Sequence, residues 1–402
     1  MSIFRHGYVA GPLLGLFWAL VIATTTAVVF SFATGGAFRP GGIGAALVGA
    51  GLGALAVAMP RFAGPVGLGL GALLSLTPIA SVVTGPQIAL WTTLLSGAVV
   101  GGATGWPLAA MMEGCRPGPL TRHEFEASVI RFLTGFGYIF FTAIVAIPFY
   151  VMVMTSLKNQ SELIQNPLDF SIDLSKGWEL FRSYSELFGQ FNFGSYLWTS
   201  FLVSVLTVAI TLLFAIPGAY AVARLRFAGR AAISRSILLI YMVPMIVLAL
   251  PIYIAFSMLG LRNSIFGIVM IYPVTTIPVA LYMLQGYFRG LPAEIEEAGL
   301  MDGLSRLKVI WQITLPLSMP ALASVSLYVF MIAWNEFLLA FMLLDDPSKF
   351  TLTRGIAALN SSEIPRQHLM AGSVIATVPI MALFLCLERF MTKGLTAGSV
   401  KG

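Results

Sequence analysis

Charged side chains are scarce in this chain. Only 10% of its 402 residues are Asp, Glu, Lys or Arg, where a soluble domain carries about 25%. Together with a hydrophobic share of 58% and a mean hydropathy of +0.89, this excludes an ordinary water-soluble globule. Acidic residues are absent from the first part altogether: none precedes Glu113. The two cysteines, Cys115 and Cys386, have no paired framework and no metal-ligand spacing, so each reads as a free thiol. The three histidines, His6, His123 and His368, are scattered and form no ligand cluster, so neither a metal nor a cofactor is expected. No GxxxxGK[ST] stretch occurs, hence no phosphate-cradling loop. A nucleophile, metal or acid–base constellation is also missing, and the chain does not read as an enzyme. Its net charge of +6 is not gathered on one basic face, as binding to nucleic acid requires.

What the chain has instead is long apolar runs. Several exceed the roughly 20 residues needed to cross a bilayer, whereas a membrane barrel needs short segments of alternating hydrophobicity. The expected fold class is therefore an all-α polytopic membrane protein in contact with lipid. Residues 1–112 form a distinct block that holds half of the 40 glycines. About four spans are expected there, near 9–33, 42–59, 64–83 and 87–112. Each carries glycines four apart, namely Gly11/Gly15, Gly49/Gly53, Gly67/Gly71 and Gly97/Gly101/Gly105, a spacing that lets helix backbones approach closely in lipid. Arg5 and His6 before an apolar run resemble the start of a signal peptide, but the run continues to about Phe32. That is too long for a cleaved apolar segment, so it reads as a retained span.

Residues 113–130 read as a polar link with Arg116, Arg122, His123, Glu124 and Glu126. Six further spans are expected near 132–156, 197–223, 233–258, 264–287, 319–344 and 369–391. Arg224, Arg226, Arg230 and Arg235 crowd one connection. The segment 158–195 instead sets Lys158, Lys176 and Arg182 against Glu162, Asp169, Asp173, Glu179 and Glu186. By the positive-inside rule the arginine-rich connection is cytoplasmic and 158–195 is outside. Alternation then puts the segment 292–316 and both termini, with Arg5, Lys393 and Lys401, in the cytoplasm. Pro148, Pro217, Pro244, Pro251, Pro273, Pro278 and Pro379 fall within the spans. Each removes a backbone hydrogen bond and favours a kink, either to improve packing or to border a cavity.

Between Glu297 and Pro316 lies a charged, glycine-containing segment that hydrocarbon cannot hold. Pro292 can open a helix. Glu294, Glu296 and Glu297 put negative charge near its N-terminus, where the macrodipole favours it. Ala298 and Gly299 give a small-residue patch, and Asp302-Gly303 is a helix-ending turn signal. A second amphipathic stretch follows, with Leu304, Leu307, Ile310, Trp311 and Leu315 against Arg306 and Lys308, and is punctuated by Pro316 and Pro320.

This spacing resembles the EAA loop of ABC-importer permeases: Glu-Ala-Ala, three residues, Gly, nine residues, then Ile-x-Leu-Pro. Glu297, Ala298, Gly303, Ile313, Leu315 and Pro316 match; Gly299 stands where the second Ala is usual. Tyr184–Phe188, Tyr220–Phe227, Trp334–Phe337 and the tail Lys393–Gly402 are similar to the carbohydrate-uptake branch, like the maltose-type second permease. The resemblance covers about 130–402 and leaves residues 1–112 without a family. It implies a six-helix type I importer core over 131–402, preceded by the extension. It further implies ATPase-coupling roles for Glu297, Ala298, Gly299, Asp302, Gly303, Ile313, Leu315 and Pro316. The implied partners are a second homologous permease chain, a dimer of cytoplasmic ABC ATPases that hydrolyse the ATP, and an extracytoplasmic solute-binding protein. The implied location is the bacterial plasma (inner) membrane, and the implied mechanism is alternating access.

Trp334, Asn335 and Glu336 sit in an otherwise apolar span. A carboxylate there usually faces a cavity or a partner, so the cluster is either a substrate pathway or a structural cap near the outer boundary. The loop 345–368, with Asp345, Asp346, Lys349, Arg354, Asn360, Glu363 and Arg366, is either a contact for the binding protein or a solvated loop. For 1–112 the readings are packing around the core, contact with a regulator, and stabilisation against lipid. The alternative functions are an ABC permease for another solute (polyol, glycerol phosphate or peptide) or an ion-coupled secondary transporter. The latter should show internal repeats and more intramembrane acids than Glu336.

Overall fold

The computed structural model describes residues 3–165, 171–360 and 364–396. Asp169, Glu363 and the tail beyond residue 396, Lys401 included, lie outside these described residues. The chain divides into two compact units, Met1–Leu180 and Phe181–Gly402.

The first unit is built from two helical hairpins and a long helix. Helices α1 (Gly7–Thr34) and α2 (Gly42–Ala58) form the first hairpin, and α3 (Pro60–Leu74) and α4 (Leu90–Met111) the second. The glycine spacing sets their packing. A Cβ on Gly15 would run into the carbonyl of Gly49, and one on Gly11 would stand 2.6 Å from the carbonyl of Gly53. In the second hairpin Gly101 abuts the Gly67 carbonyl and Gly97 that of Gly71. Close backbone approach of this kind replaces the hydrophobic drive that lipid does not supply. Around it, Trp18, Leu52, Val100 and Leu108 form a buried apolar core.

Two short strands were not foreseen. β1 (Phe38–Pro40) lies in the connection of the first hairpin and β2 (Val82–Thr84) in that of the second; they pair antiparallel, Arg39 opposite Val83. The third expected span, 64–83, is correspondingly shorter. It ends at Leu74, because Pro78 disfavours helix in the residues before it, and the remainder turns into β2. The 17 residues of α2 and 15 of α3 rise about 25 and 22 Å, less than the 30 Å hydrocarbon core. Helix α5 (Arg122–Ser156) opens with a capping box: Thr121 Oγ1 accepts from the Glu124 amide at 3.3 Å, and Glu124 Oε2 accepts from the Thr121 amide at 2.8 Å. Trp18 meets Phe132 edge-on at 6.0 Å, and the Tyr150 hydroxyl donates to the Phe32 carbonyl at 3.1 Å.

The second unit contains α6 (Arg182–Gln190), α7 (Phe193–Arg224), α8 (Arg230–Tyr241), α9 (Met245–Met258) and α10 (Ile265–Gly290). These are followed by α11 (Ala293–Met301), α12 (Arg306–Leu317), α13 (Met319–Asn335), α14 (Leu338–Leu343), α15 (Leu352–Leu359) and α16 (Arg366–Thr396). Its core is centred on α7, α10 and α13, where Phe193, Ile268, Tyr272, Phe330 and Trp334 are buried together. The expected span 233–258 is broken into α8 and α9 at Met242–Pro244, where Pro244 lacks the amide to continue a helix. The expected span 319–344 breaks at Glu336 into α13 and α14. Among the described residues α1, α4, α5, α7, α10 and Arg366–Cys386 are long and apolar enough to cross a membrane, and the bent pair α12–α13 makes a seventh.

At the start of α16, His368 Nε2 lies 2.8 Å from Glu186 Oε2 on α6, and Arg182 Nε donates to Glu186 Oε1 at 2.7 Å. Hydrogen bonds from Arg182 first, and then His368, hold the Glu186 carboxyl below the usual carboxylate range.

Candidate functional site

The segment 292–317 folds as a short helix, a turn and a second helix. Pro292 is the residue before α11, and Glu294 and Glu296 occupy its first turn. The helix stops in a Schellman motif. Gly303 takes φ 84°, its amide donates to the Leu300 carbonyl at 3.1 Å, and the Leu304 amide donates to the Gly299 carbonyl at 3.1 Å. Ser305 then caps α12, its hydroxyl accepting from the Lys308 amide at 3.5 Å.

Helix α11 is two-sided. Glu294, Glu297, Ala298 and Met301, at positions i, i+3, i+4 and i+7, are exposed, while Glu296 and Gly299 are buried. Gly299 has a packing reason. A Cβ there would stand 2.5 Å from Ile313 Cδ1, so the departure from the usual alanine makes room for the isoleucine of the same motif. Outside the buried face, Met301 is 88% exposed and Leu307 and Trp311 are each 71% exposed.

Within α12, Ile310–Thr314 is π-helical: the Leu315 amide donates to the carbonyl of Ile310, five residues back. Pro316 has no amide for the residue four before it, and the widened turn removes that clash. The chain then bends by 79° between α12 and α13. The Ser318 amide donates to the carbonyls of both Thr314 and Leu315 at 3.0 Å.

Sequence reading missed the group beneath α11. Glu296 is 7% exposed. Its Oε2 accepts from the Tyr220 hydroxyl at 3.2 Å, its Oε1 accepts from Thr314 Oγ1 at 3.0 Å, and Arg224 Nε stands 3.4 Å away. Arg224 also donates to the Leu291 carbonyl at 2.7 Å. The available signal was one carboxylate on the face of α11 opposite Glu294 and Glu297. Beside α8, Arg230, Ser234, Arg235 and Arg289 line an open basic recess of about 660 Å³.

Trp334, Asn335 and Glu336 do not converge on one cavity. The buried Trp334 donates its indole N–H to the Ala376 carbonyl at 3.1 Å. Asn335 is exposed and donates to its own helix at Met331. Glu336 accepts from the amides of Leu339 at 2.9 Å and Ala340 at 3.2 Å, the arrangement of an N-terminal cap on α14. The cleft of about 630 Å³ beside Trp334 is lined by Phe188, Leu197, Trp198, Phe201 and Phe330 and is apolar. Deeper in the unit, Thr211 and Thr276 share a hydrogen bond of 2.6 Å, the Tyr272 hydroxyl faces the Glu336 carboxylate, and the buried hydroxyls of Ser204 and Thr207 have no hydrogen-bond partner among the described residues. No cluster of three His, Cys, Asp or Glu suited to a metal occurs among the described residues.

With this geometry in view, residues 212–393 match the family described as "Binding-protein-dependent transport system inner membrane component". The chain is 39% identical over 269 residues to the inner membrane ABC transporter permease protein YcjP of Escherichia coli (strain K12), covering 66% of this chain and 95% of that one. This chain belongs to that permease family. The permease is also 34% identical over 280 residues to the trehalose/maltose transport system permease protein MalG of Thermococcus litoralis, covering 69% of itself and 99% of the relative. Its fold matches a chain in the crystal structure of a bacterial ABC transporter involved in the import of the acidic polysaccharide alginate. The TM-score is 0.57 at 22% identity, covering 67% of the permease and 98% of that chain. The permease is accordingly a multi-pass inner membrane component with the helical fold of an ABC importer permease.

Proposed function

We propose that this permease forms part of the membrane channel of an ATP-driven, binding-protein-dependent carbohydrate importer, with α11 as the helix that a separate ATPase grips. The two-sidedness of α11 is the observation that carries this reading. Its inner face is anchored through Glu296 and Gly299, and its outer face offers Glu297, Ala298 and Met301 to a partner. Asp302 and Gly303 end the helix, Ile313 seats Gly299, and Leu315 and Pro316 lead into the bend. The basic recess and Arg224, Arg226, Arg230 and Arg235 support a cytoplasmic side for this end of the second unit under the positive-inside rule, and in this reading both termini are cytoplasmic as well.

The partners in this reading are a second permease of similar kind, two copies of a cytoplasmic ABC ATPase and an extracytoplasmic solute-binding protein. Likeness to the trehalose/maltose permease of Thermococcus litoralis supports an oligosaccharide as the solute. ATP-driven closure of the ATPases displaces α11, and the permease pair alternates between inward and outward openings. The ATPases shift that equilibrium only by their differential affinity for the two states. Residues 1–112 are a membrane extension, 113–130 a cytoplasmic link and 131–402 the importer core. Within the core, Trp334–Glu336 borders the solute route, with Glu336 shaping it as the cap of α14.

The test is a cysteine at Ala298 in a background with Cys115 and Cys386 replaced by alanine, crosslinked in membranes that contain the whole transporter. Capture of an ABC ATPase, together with uptake of labelled trehalose or maltose that needs ATP, is the expected result. Capture of no ATPase, or uptake that survives ATP depletion and collapses with an uncoupler, overturns the proposal.

A further inference from the structure

Glu296 is a carboxylate buried beneath a helix whose other acids lie in water. Glu294 and Glu297 already place negative charge in solvent near the N-terminus of α11, where the macrodipole favours it. A third, desolvated carboxylate adds nothing there and is tolerated only with good partners. Those partners come from outside α11. Tyr220 and Arg224 stand one turn apart on the last turns of α7, and Thr314 is in the π-helical stretch of α12. Arg224 contacts α11 twice, through Glu296 and through the Leu291 carbonyl just before the helix. Arg306, at the start of α12, lies within electrostatic reach of the Tyr220 hydroxyl. The Tyr220 ring meets Phe288 of α10 edge-on at 6.3 Å, in a cluster that includes Leu284 and Val325. A load on Glu296 therefore reaches α7 directly and α10 and α13 through packing.

We propose that Glu296 is a positioning residue that locks α11 to the C-terminal end of α7, so that both move as one body when the ATPase displaces α11. Polar contacts are required for this. Apolar packing alone resists separation but lets surfaces slide, whereas a buried carboxylate paired in charge with Arg224 and accepting hydrogen bonds from Tyr220 and Thr314 fixes the register, the ion pair carrying the larger share. Glu296 acts through Arg224 and Tyr220. The inference rests on the docking role proposed for α11.

The test measures the α11–α7 distance in the complete transporter. Spin labels at cysteines replacing the exposed Ala293, which lies outside the docking face of α11, and the exposed Leu213, with Cys115 and Cys386 replaced by alanine, report the distance without nucleotide and with ATP, Mg²⁺ and vanadate. In the otherwise native permease the distribution should be narrow and the same in both states. Glu296→Gln, which keeps size and hydrogen bonding but loses the ion pair, should broaden it and make it nucleotide-dependent. Tyr220→Phe, which leaves the pairing with Arg224 intact, should give a smaller broadening. A residue that served stability alone would lower the melting temperature in Glu296→Gln without making the distance respond to nucleotide, and that result overturns the proposal. So does a native distance that itself shifts with ATP. The Ala298 crosslink separates the two failures: if it forms while the lock test fails, the docking role stands and only the lock falls.

Discussion

At the scale of single residues, the coupling segment is governed by what each position leaves room for. Gly299→Ala restores the small side chain usual in the family and meets only the flexible tip of Ile313 at 2.5 Å. It also gains about 1 kcal/mol of helix propensity. Uptake should therefore stay within about twofold of native, whereas Gly299→Leu, which cannot be accommodated beneath α11, should abolish it. Gly303 at φ 84° is different in kind. A side chain there is strained by about 1–2 kcal/mol, so Gly303→Val should loosen the turn and lower the melting temperature even with the surrounding space open. Glu186 supplies a pH dependence with a definite sign. Its carboxyl is held low chiefly by Arg182 and next by His368. The stability it contributes is present above the ordinary carboxylate value of about 4.3 and is lost as pH falls through the lower folded value. Melting curves in detergent from about pH 6 down to about pH 3 should show this loss in the native permease and a smaller one in Glu186→Gln.

At the scale of elements, the glycine-zipped hairpins make a sharp prediction. Gly15→Val in α1 or Gly101→Val in α4 would push a side chain into the carbonyl of Gly49 or Gly67. Backbone cannot yield as a side-chain tip does, so each change should exceed the usual 1–3 kcal/mol of overpacking and be seen as loss of folded protein after extraction. Gly51→Val, with open space around it, is the control that should be tolerated. The close-packed glycines were legible from their spacing, as were the start of α11 at Pro292 and its end at Asp302-Gly303. Other features could not be read locally. β1 and β2 are three residues each, too short to show an alternating pattern. The break at Met242–Pro244 sits inside an apolar run whose hydropathy is continuous. The pairing of Glu296 with Arg224 joins positions separated by α8, α9 and α10, and no local spacing announces it. Glu336 was legible as an anomaly in an apolar span, but its role as the cap of α14 depends on a chain reversal that the pattern does not encode. Replacing it by Gln keeps the side-chain oxygen that accepts from Leu339. Uptake of labelled solute by Glu336→Gln should therefore stay near native, and a sharp fall would contradict the role as a cap.

At the scale of the whole molecule, the two units have separate cores, and the family match falls within the second. A chain beginning at Arg116 should therefore keep its importer core and still be captured by the ATPase through Ala298. Its α5 would lose Trp18 and the carbonyls of Ala110 and Met111 that Arg131 engages, so its yield should drop. The elbow at Ser318 bears on how such a machine could work. Two rods joined at 79° by a stiff corner behave as a crank: when the free arm swings sideways beneath the bilayer, the upright arm twists about its own long axis rather than being pulled toward the cytoplasm. A span that turns in place can present a different face to the channel while leaving its depth in the lipid, and the lipid-facing girdle around it, undisturbed.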